Sequence, residues 1–484
     1  MTSTIKVNNI QNQCGANIIN ENSNTITIGA SGDTIALASG ASQSGFGRNG
    51  SVNWQTAIKT STITAANGEG YFVDTSSGAL TANLPAGSVG AIVAFKDYAQ
   101  TFDTNALTIA ANGSEKIEGI TNDLVLRTEG VAVTLVYGDA TKGWQAVNSN
   151  EITNAQKFIA ATGGTVTTVC TNFKVHTFTG PGTFCVSCVG NPAGSDTVSY
   201  VVVAGGGGGG GDQSNGYGAG GGGAGGFRES KAATDSYTAS PLNATSGPTY
   251  NLPVSVQGYP IAVGGGGAAG TTGPGLTQGT RGVSSSFSTI TSTGGGGGDK
   301  GTAPASPSPA PGGSGGGGSG PLNTNPQGAG GTGNTPPVSP PQGNAGGAAR
   351  TPGTPKYGGG GGGGATAAGE NFLDAIPGNT AGEGGAGATS SINGTPTTRA
   401  GGGGGGPYNS IPLGWNTEGG AGGSGGGGAG GKAIYPGTPS NAVAGTVNTG
   451  GGGGGAASNY PSPTTLVSSA AGGSGIVIIR YKFQ

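Results

Sequence analysis

Val198-Ser199-Tyr200-Val201-Val202-Val203-Ala204-Gly205-Gly206-Gly207-Gly208-Gly209-Gly210-Gly211: an apolar strand runs without a break into seven consecutive glycines. The first half has the β-branched and aromatic content of a buried sheet strand. The second half has no side chain to bury. Ordering it alone costs about 1 to 2 kcal/mol per residue in backbone entropy and gains nothing in exchange. A single run of this kind is coil, so the fold depends on whether the run has neighbours of its own type.

Such neighbours recur through the chain, at 220–226, 264–267, 294–298, 312–320, 358–364, 401–406, 419–431 and 450–455. Packed side by side as extended helices with three residues per turn, the runs point every N–H and C=O at a neighbour, and only residues without side chains approach that closely. Most runs hold five to seven glycines, which at about 3.1 Å per residue makes rods of roughly 15 to 22 Å and a block with flush ends. The residues that interrupt them, Ala219, Ala224, Ser314, Ser319, Ala421 and Ser424, are expected on the outer surface of the block. Larger residues fall between the runs, at the block ends. A second apolar strand, Ile476-Val477-Ile478-Ile479-Arg480-Tyr481, closes the zone. A flexible spacer is the alternative, but linkers do not normally interleave Tyr, Phe, Trp, Leu and Ile between their glycines.

Working outward, the 484 residues contain 112 Gly and 28 Pro, and only 8% are charged, with a formal net charge of -2. Disordered chains are usually rich in charge, so this balance favours a packed solid. It also leaves no basic cluster to neutralise phosphates, which argues against nucleic acid and anionic membrane as partners. No apolar run reaches spanning length, and the N-terminus lacks the pattern of a secretory signal, so the expectation is a soluble product with no membrane insertion. Cys14, Cys170, Cys185 and Cys188 are too few for a disulfide framework.

The fold class expected is mainly β with non-regular polyglycine helices, in four zones. Residues 1–50 read as a ladder of minimal strands, Ile5-Lys6-Val7, Thr25-Ile26-Thr27-Ile28 and Thr34-Ile35-Ala36-Leu37, each too short to stand alone and suited to attachment and homo-oligomerisation. Residues 51–150 carry short alternating strands at sandwich-like spacing, with Trp144 as core anchor. Residues 151–170 are expected as linker. Residues 171–484 form the glycine block, opened by strands 173–178 and 183–189 joined at the turn Gly180-Pro181-Gly182.

The stretches Phe173-Lys174-Val175-His176-Thr177-Phe178, Tyr200-Val201-Val202-Val203-Ala204 with its glycines, Gly220-Gly221-Gly222-Gly223-Ala224-Gly225-Gly226-Phe227-Arg228, Ser284-Ser285-Ser286-Phe287 and Gly472-Gly473-Ser474-Gly475-Ile476-Val477-Ile478-Ile479-Arg480-Tyr481 resemble the glycine-rich domain of phage tail-fibre and related viral structural proteins. In kind, the zone is similar to the distal tail-fibre adhesins of T-even-type phages, where a sandwich of polyglycine helices displays variable loops to the host. The opening Thr4-Ile5-Lys6-Val7-Asn8-Asn9-Ile10-Gln11 is similar to the starts of marine-phage fibre proteins, which usually form trimers. The resemblance implies a homotrimeric virion component assembled in the host cytoplasm. It would join other tail or baseplate proteins through its N-terminal region and meet a host surface protein or glycan with its loops.

Catalytic chemistry finds little support. Cys185-Val186-Ser187-Cys188 has half-site spacing, but residues three apart on a strand point to opposite faces, and no second pair completes a metal site. His176, the one histidine, lies mid-strand and reads as structural. The glycine runs lack the Gly-Lys-Ser/Thr of a phosphate loop. Asp374, Glu383 and Glu418 form no local acidic pattern, which leaves a depolymerising tailspike as an alternative beside a purely structural neck, whisker or capsid fibre. No enzyme activity, cofactor or metal is expected. The candidate contact residues are the aromatic and apolar side chains between runs: Phe372, Leu373, Tyr408, Ile411, Leu413, Trp415, Tyr435 and Tyr460. Several stand beside rigid prolines, a combination suited to stacking on sugars or docking on a protein loop. The same residues would also serve to cap the block.

Overall fold

The structure is a computed structural model that describes residues 9–11, 17–22, 25–28, 52–147, 158–190, 194–213, 217–301, 309–319, 328–349, 357–372, 381–410, 418–433, 438–460 and 467–484. Among them there is no α-helix, and the chain is built of short strands and glycine rods. At the N-terminus, Asn9–Gln11, Asn17–Asn22 and Thr25–Ile28 form an antiparallel three-stranded meander. The expected strands at 5–7 and 34–37 lie outside the described residues.

The next unit packs two sheets around one core. Successive strands from Asn53–Trp54 to Leu107–Ala110 alternate between the sheets, so the chain coils. Asn53–Trp54, Glu69–Val73 and Ile92–Asp97 pair in parallel in one sheet, and Ile63–Thr64, Leu80–Asn83 and Leu107–Ala110 in the other. Antiparallel strands then complete each sheet. Period-2 patterning sends Leu107 and Ile109 inward to meet Val93, Phe95 and Leu135. Trp144 is fully buried among them, and its Nε1 donates to Glu115 Oε2 at 3.3 Å.

The glycine zone is founded on two packed sheets. One runs Thr165–Val169, Phe173–Phe178, Ile476–Lys482, Thr197–Val203, Phe227–Ser230, with Leu252–Pro253 beside it; the other runs Ala160–Thr162, Gly182–Cys188, Gly258–Ala262, Ser285–Phe287, Ile290–Ser292. Phe184, Tyr200, Phe287, Val477, Ile479 and Tyr481 fill the space between them. The opposite face of the first sheet presents Val175, Val201, Val203, Ile476 and Ile478 to Ala224, Ala365, Ala388 and Ala400 at the rod bases. Burial on both faces explains why its central strands read as unbroken apolar runs. Two expectations are corrected here. The stretch taken for linker supplies the strands Ala160–Thr162 and Thr165–Val169. Phe173–Phe178 and Gly182–Cys188 enter different sheets, so the corner at 180–182 moves the chain between layers instead of closing a hairpin.

Above this base the glycine runs stand as extended rods. Rod 205–211 donates to rods 277–283, 467–475 and 217–226 in turn and accepts from 264–271, 294–301 and 450–456. In rod 217–226, Ala219, Gly222 and Gly225 donate to 450–456, Gly220, Gly223 and Gly226 to 293–299, and Gly221 and Ala224 to 360–363. The partner therefore changes with a period of three, which places a rod on every side. Rods 357–365, 400–406 and 450–456 are surrounded in the same manner. Their uninterrupted glycines follow from this: at Gly207 a Cβ would run into the Gly296 carbonyl, and at Gly403 into that of Gly453.

Outer rods touch the block on one side and tolerate side chains elsewhere. In Thr277-Gln278-Gly279-Thr280-Arg281-Gly282-Val283 only Gly279 and Gly282 face the carbonyls of rod 205–211. The small interrupting residues divide. Ala421 and Ser424 are exposed, but Ala219, Ala224, Ser314 and Ser319 are buried. The buried ones sit near rod ends, where Ala224 joins the apolar base and the Ser319 hydroxyl donates to the Lys300 carbonyl at 2.5 Å.

Candidate functional site

Because consecutive rods run up and down, the chain reverses alternately at the sheet base and at the opposite end, the tip. A continuous chain of contacts maps that tip. Tyr357–Gly358 pairs with Pro407–Ser410, which pairs with Ser458–Tyr460; Ala457 bridges Val467; Lys432 bridges Ser440; the Ala381 N–H donates to Glu418 O; and the Phe372 N–H donates to Ala348 O. Among the described residues, Tyr357, Phe372, Ala381, Tyr408, Glu418, Lys432, Ser458 and Val467 therefore stand at this end of the block.

Three tyrosines gather there. The Tyr217 ring lies 5.7 Å from Tyr357 and 6.3 Å from Tyr408, and Tyr357 and Tyr408 are 5.8 Å apart. Tyr357 is buried, whereas Tyr217 and Tyr408 are half-buried. The turn that delivers Tyr217 is fixed from below by Asp212. Its Oδ1 accepts from the Gln213 N–H at 2.8 Å and its Oδ2 from the Gly218 N–H at 3.1 Å, with Gly218 in the left-handed region at φ 78. Asp212 is wholly buried, and burial pushes its carboxyl up to about 7. On the adjacent rod, burial likewise raises Asp299 to about 6, against hydrogen bonds from Lys300 and Ser319 that lower it. An apolar patch of Ala433, Ala457 and Val467 and an exposed Lys432–Glu418 ion pair of 2.5 Å complete the described part of the tip.

Of the sequence-derived contact residues, Tyr408 belongs to this cluster and Tyr460 ends the strand Ser458–Tyr460 of the same small sheet. Phe372 also lies at the tip, but its side chain is buried, with its ring against Gly358, so it packs the tip and does not present an aromatic face. Leu373, Ile411, Leu413, Trp415 and Tyr435 lie outside the described residues. Sequence reading missed Tyr217, Tyr357 and Asp212. A short polar interruption ending in Tyr217 between two glycine runs was the available signal.

The remaining candidates lie apart from the tyrosine cluster or outside the described residues. His176 is fully buried, with Nδ1 2.7 Å from Gly163 O and Nε2 3.1 Å from Tyr481 Oη, and burial lowers its pKa. Cys185 and Cys188 are exposed free thiols, and no metal-binding cluster occurs among the described residues. Glu383 and Glu418 fall on neighbouring rods, with Glu418 engaged by Lys432; Asp374 lies outside the described residues.

The described residues are all β, with glycine rods tied to packed sheets at one end. The chain belongs to the glycine-rich domain family, whose model matches residues 179–482, and the model of the bacteriophage T4 gp9/10-like protein N-terminal region matches residues 7–158. It is a bacteriophage structural protein of the tail-fibre type. A search of curated proteins finds no match. No helix among the described residues is long and apolar enough to cross a membrane.

Proposed function

We propose that this protein is the host-recognition component of its tail, a homotrimeric adhesin without enzymatic activity. On this reading it attaches to other tail proteins through the region similar to T4 gp9/10-like proteins, its rods are polyglycine II helices, and its tip meets a protein or glycan of the host surface. The observation that carries the reading is the cluster of Tyr217, Tyr357 and Tyr408 at the tip, where Tyr217 and Tyr408 are half-buried. The other end of the block is committed to the base sheets. A rigid block lowers the entropy cost of holding such rings for binding.

The purified full chain should compete with phage for adsorption to host cells. A Tyr408→Ser/Trp415→Ser variant should compete at least tenfold less well while its unfolding midpoint is unchanged. Failure of the unaltered chain to compete would favour a purely structural neck, whisker or capsid fibre. Release of reducing sugar from host polysaccharide would point to a tailspike hydrolase.

A further inference from the structure

Far from the tip, a crevice of about 320 Å³ opens where the coiled β unit meets the foot of the glycine domain. One wall is the outer edge of the coiled unit, with Thr108 on the strand Leu107–Ala110, Val125 on Leu124–Leu126, and the turn residues Thr121, Asn122 and Asp123. The other wall comes from the glycine domain, as Phe158 and Gln484. Its size lies at the lower end of small-molecule sites, and junctions between folded units are a common place for them.

The lining is chemically lopsided. Among the described residues, the side chains of Thr108, Thr121, Asn122 and Asp123 make no hydrogen bond or ion pair, and Gln484 uses only its Nε2, on Thr171 O at 3.2 Å. The crevice thus gathers two hydroxyls, an amide, a carboxylate and the free amide oxygen of Gln484. Together these offer both donors and acceptors. Beside them stands an aromatic ring, Phe158, itself held by Lys482 Nζ 5.4 Å from its centroid. No Lys or Arg is among the lining residues themselves, although Lys482 brings a cation to the margin beside Phe158, so recognition here rests on the hydrogen-bonding groups and the ring. An aromatic face joined to a ring of mixed donors and acceptors matches a molecule with apolar C–H faces and a rim of hydroxyls.

We propose that this junction crevice is a saccharide site, sized for one neutral hexose unit and distinct from the tip. Phe158 stacks on the sugar face, Asp123 and Asn122 take adjacent hydroxyls, and Thr108 and Gln484 contact the rim. Saturation-transfer NMR on the full chain with glucose, galactose and N-acetylglucosamine tests it. At least one sugar should receive saturation, and its dissociation constant should rise at least tenfold in Asp123→Asn and in Phe158→Ala. The exposed Thr121→Ala change guards against misfolding, since it should weaken binding severalfold with an unaltered spectrum. The Tyr408→Ser/Trp415→Ser variant should bind the sugar normally, which separates this site from the tip. Absence of transfer from all three sugars, or transfer that survives both Asp123→Asn and Phe158→Ala, would overturn the proposal.

Discussion

At the scale of single residues, glycine here is a requirement of proximity. Gly222 stands in a surrounded rod, donating to Gly453 O and accepting from the Gly403 N–H, both at 2.8 Å, and a Cβ on it would strike the Gly207 carbonyl. Neither backbone can retreat without breaking ladders to further rods, so the strain of a methyl group is not relieved locally. Gly265 is the opposite case: exposed, on the outer rod 264–271, with open space where a Cβ would project. Gly222→Ala should therefore destabilise the protein by about 1 to 3 kcal/mol or more, as overpacking does in dense cores. Gly265→Ala should stabilise it by about 0.4 to 1 kcal/mol, by restricting the unfolded chain. Guanidinium unfolding of the two variants checks this. Equal effects would mean that glycine serves flexibility and not close approach.

At the scale of elements, rods need ends as strands need edges. Rod 205–211 finishes in Asp212, whose buried carboxyl organises the turn to Gly218. Its pKa is raised from 3.8 to about 7, so the folded protein holds a proton that the unfolded chain has released. The stability this group contributes is present in full below about pH 4 and is lost as pH rises towards 7, an effect on the order of a few kcal/mol. Asp299 acts in the same direction over a narrower range, while His176, lowered by burial, opposes both as pH falls below 6.5. The melting temperature of Asp212→Asn should accordingly depend less steeply on pH between 4 and 8 than that of the unaltered protein; parallel curves would refute the buried-acid account. Which elements exist was legible where one physical rule dominated. Unbroken glycine announced the surrounded rods, and β-branched runs such as 198–203 and 476–481 announced strands buried on both faces. The outer rod 277–283 was not legible, because it needs glycine only at every third position and reads as an ordinary polar loop. The tip was half legible: aromatic residues between runs located it, but whether a ring such as that of Phe372 turns inward depends on which rod stands beside it, a long-range fact.

At the scale of the whole molecule, the glycine rods are built between Val203 and Ile476, and the strand that begins at Ile476 takes its place in the base sheet directly beside the one that ends at Val203. The strand Ile476–Lys482 lies between Phe173–Phe178 and Thr197–Val203, paired along its length with both. Its Arg480 is almost fully buried, with Nε 3.0 Å from Asp235 Oδ2, Nη1 donating to Ile392 O at 3.2 Å, and its guanidinium 4.3 Å from the Phe173 ring centroid. Removal of this strand leaves Asp235 without its buried counter-charge and splits the sheet between two strands that do not otherwise pair. Losing one partner of a buried ion pair alone costs about 3 to 5 kcal/mol, and lost burial of Val477, Ile478 and Ile479 adds roughly 1.5 to 3 kcal/mol for each side chain. That is comparable with the whole stability of an ordinary domain, about 5 to 15 kcal/mol. Away from the base, the apolar cluster among the described rod residues is small, Ala433, Ala457 and Val467, and most of the cohesion is hydrogen bonds whose net worth is modest one by one. A chain ending at Gly475 should therefore lose the block as well as the sheet. Amides of Gly207, Gly222 and Gly403 should exchange slowly in the intact protein and, in the truncated one, at the rate of an unstructured peptide. If their protection persists, the rods are self-supporting and the base sheet is only their anchor.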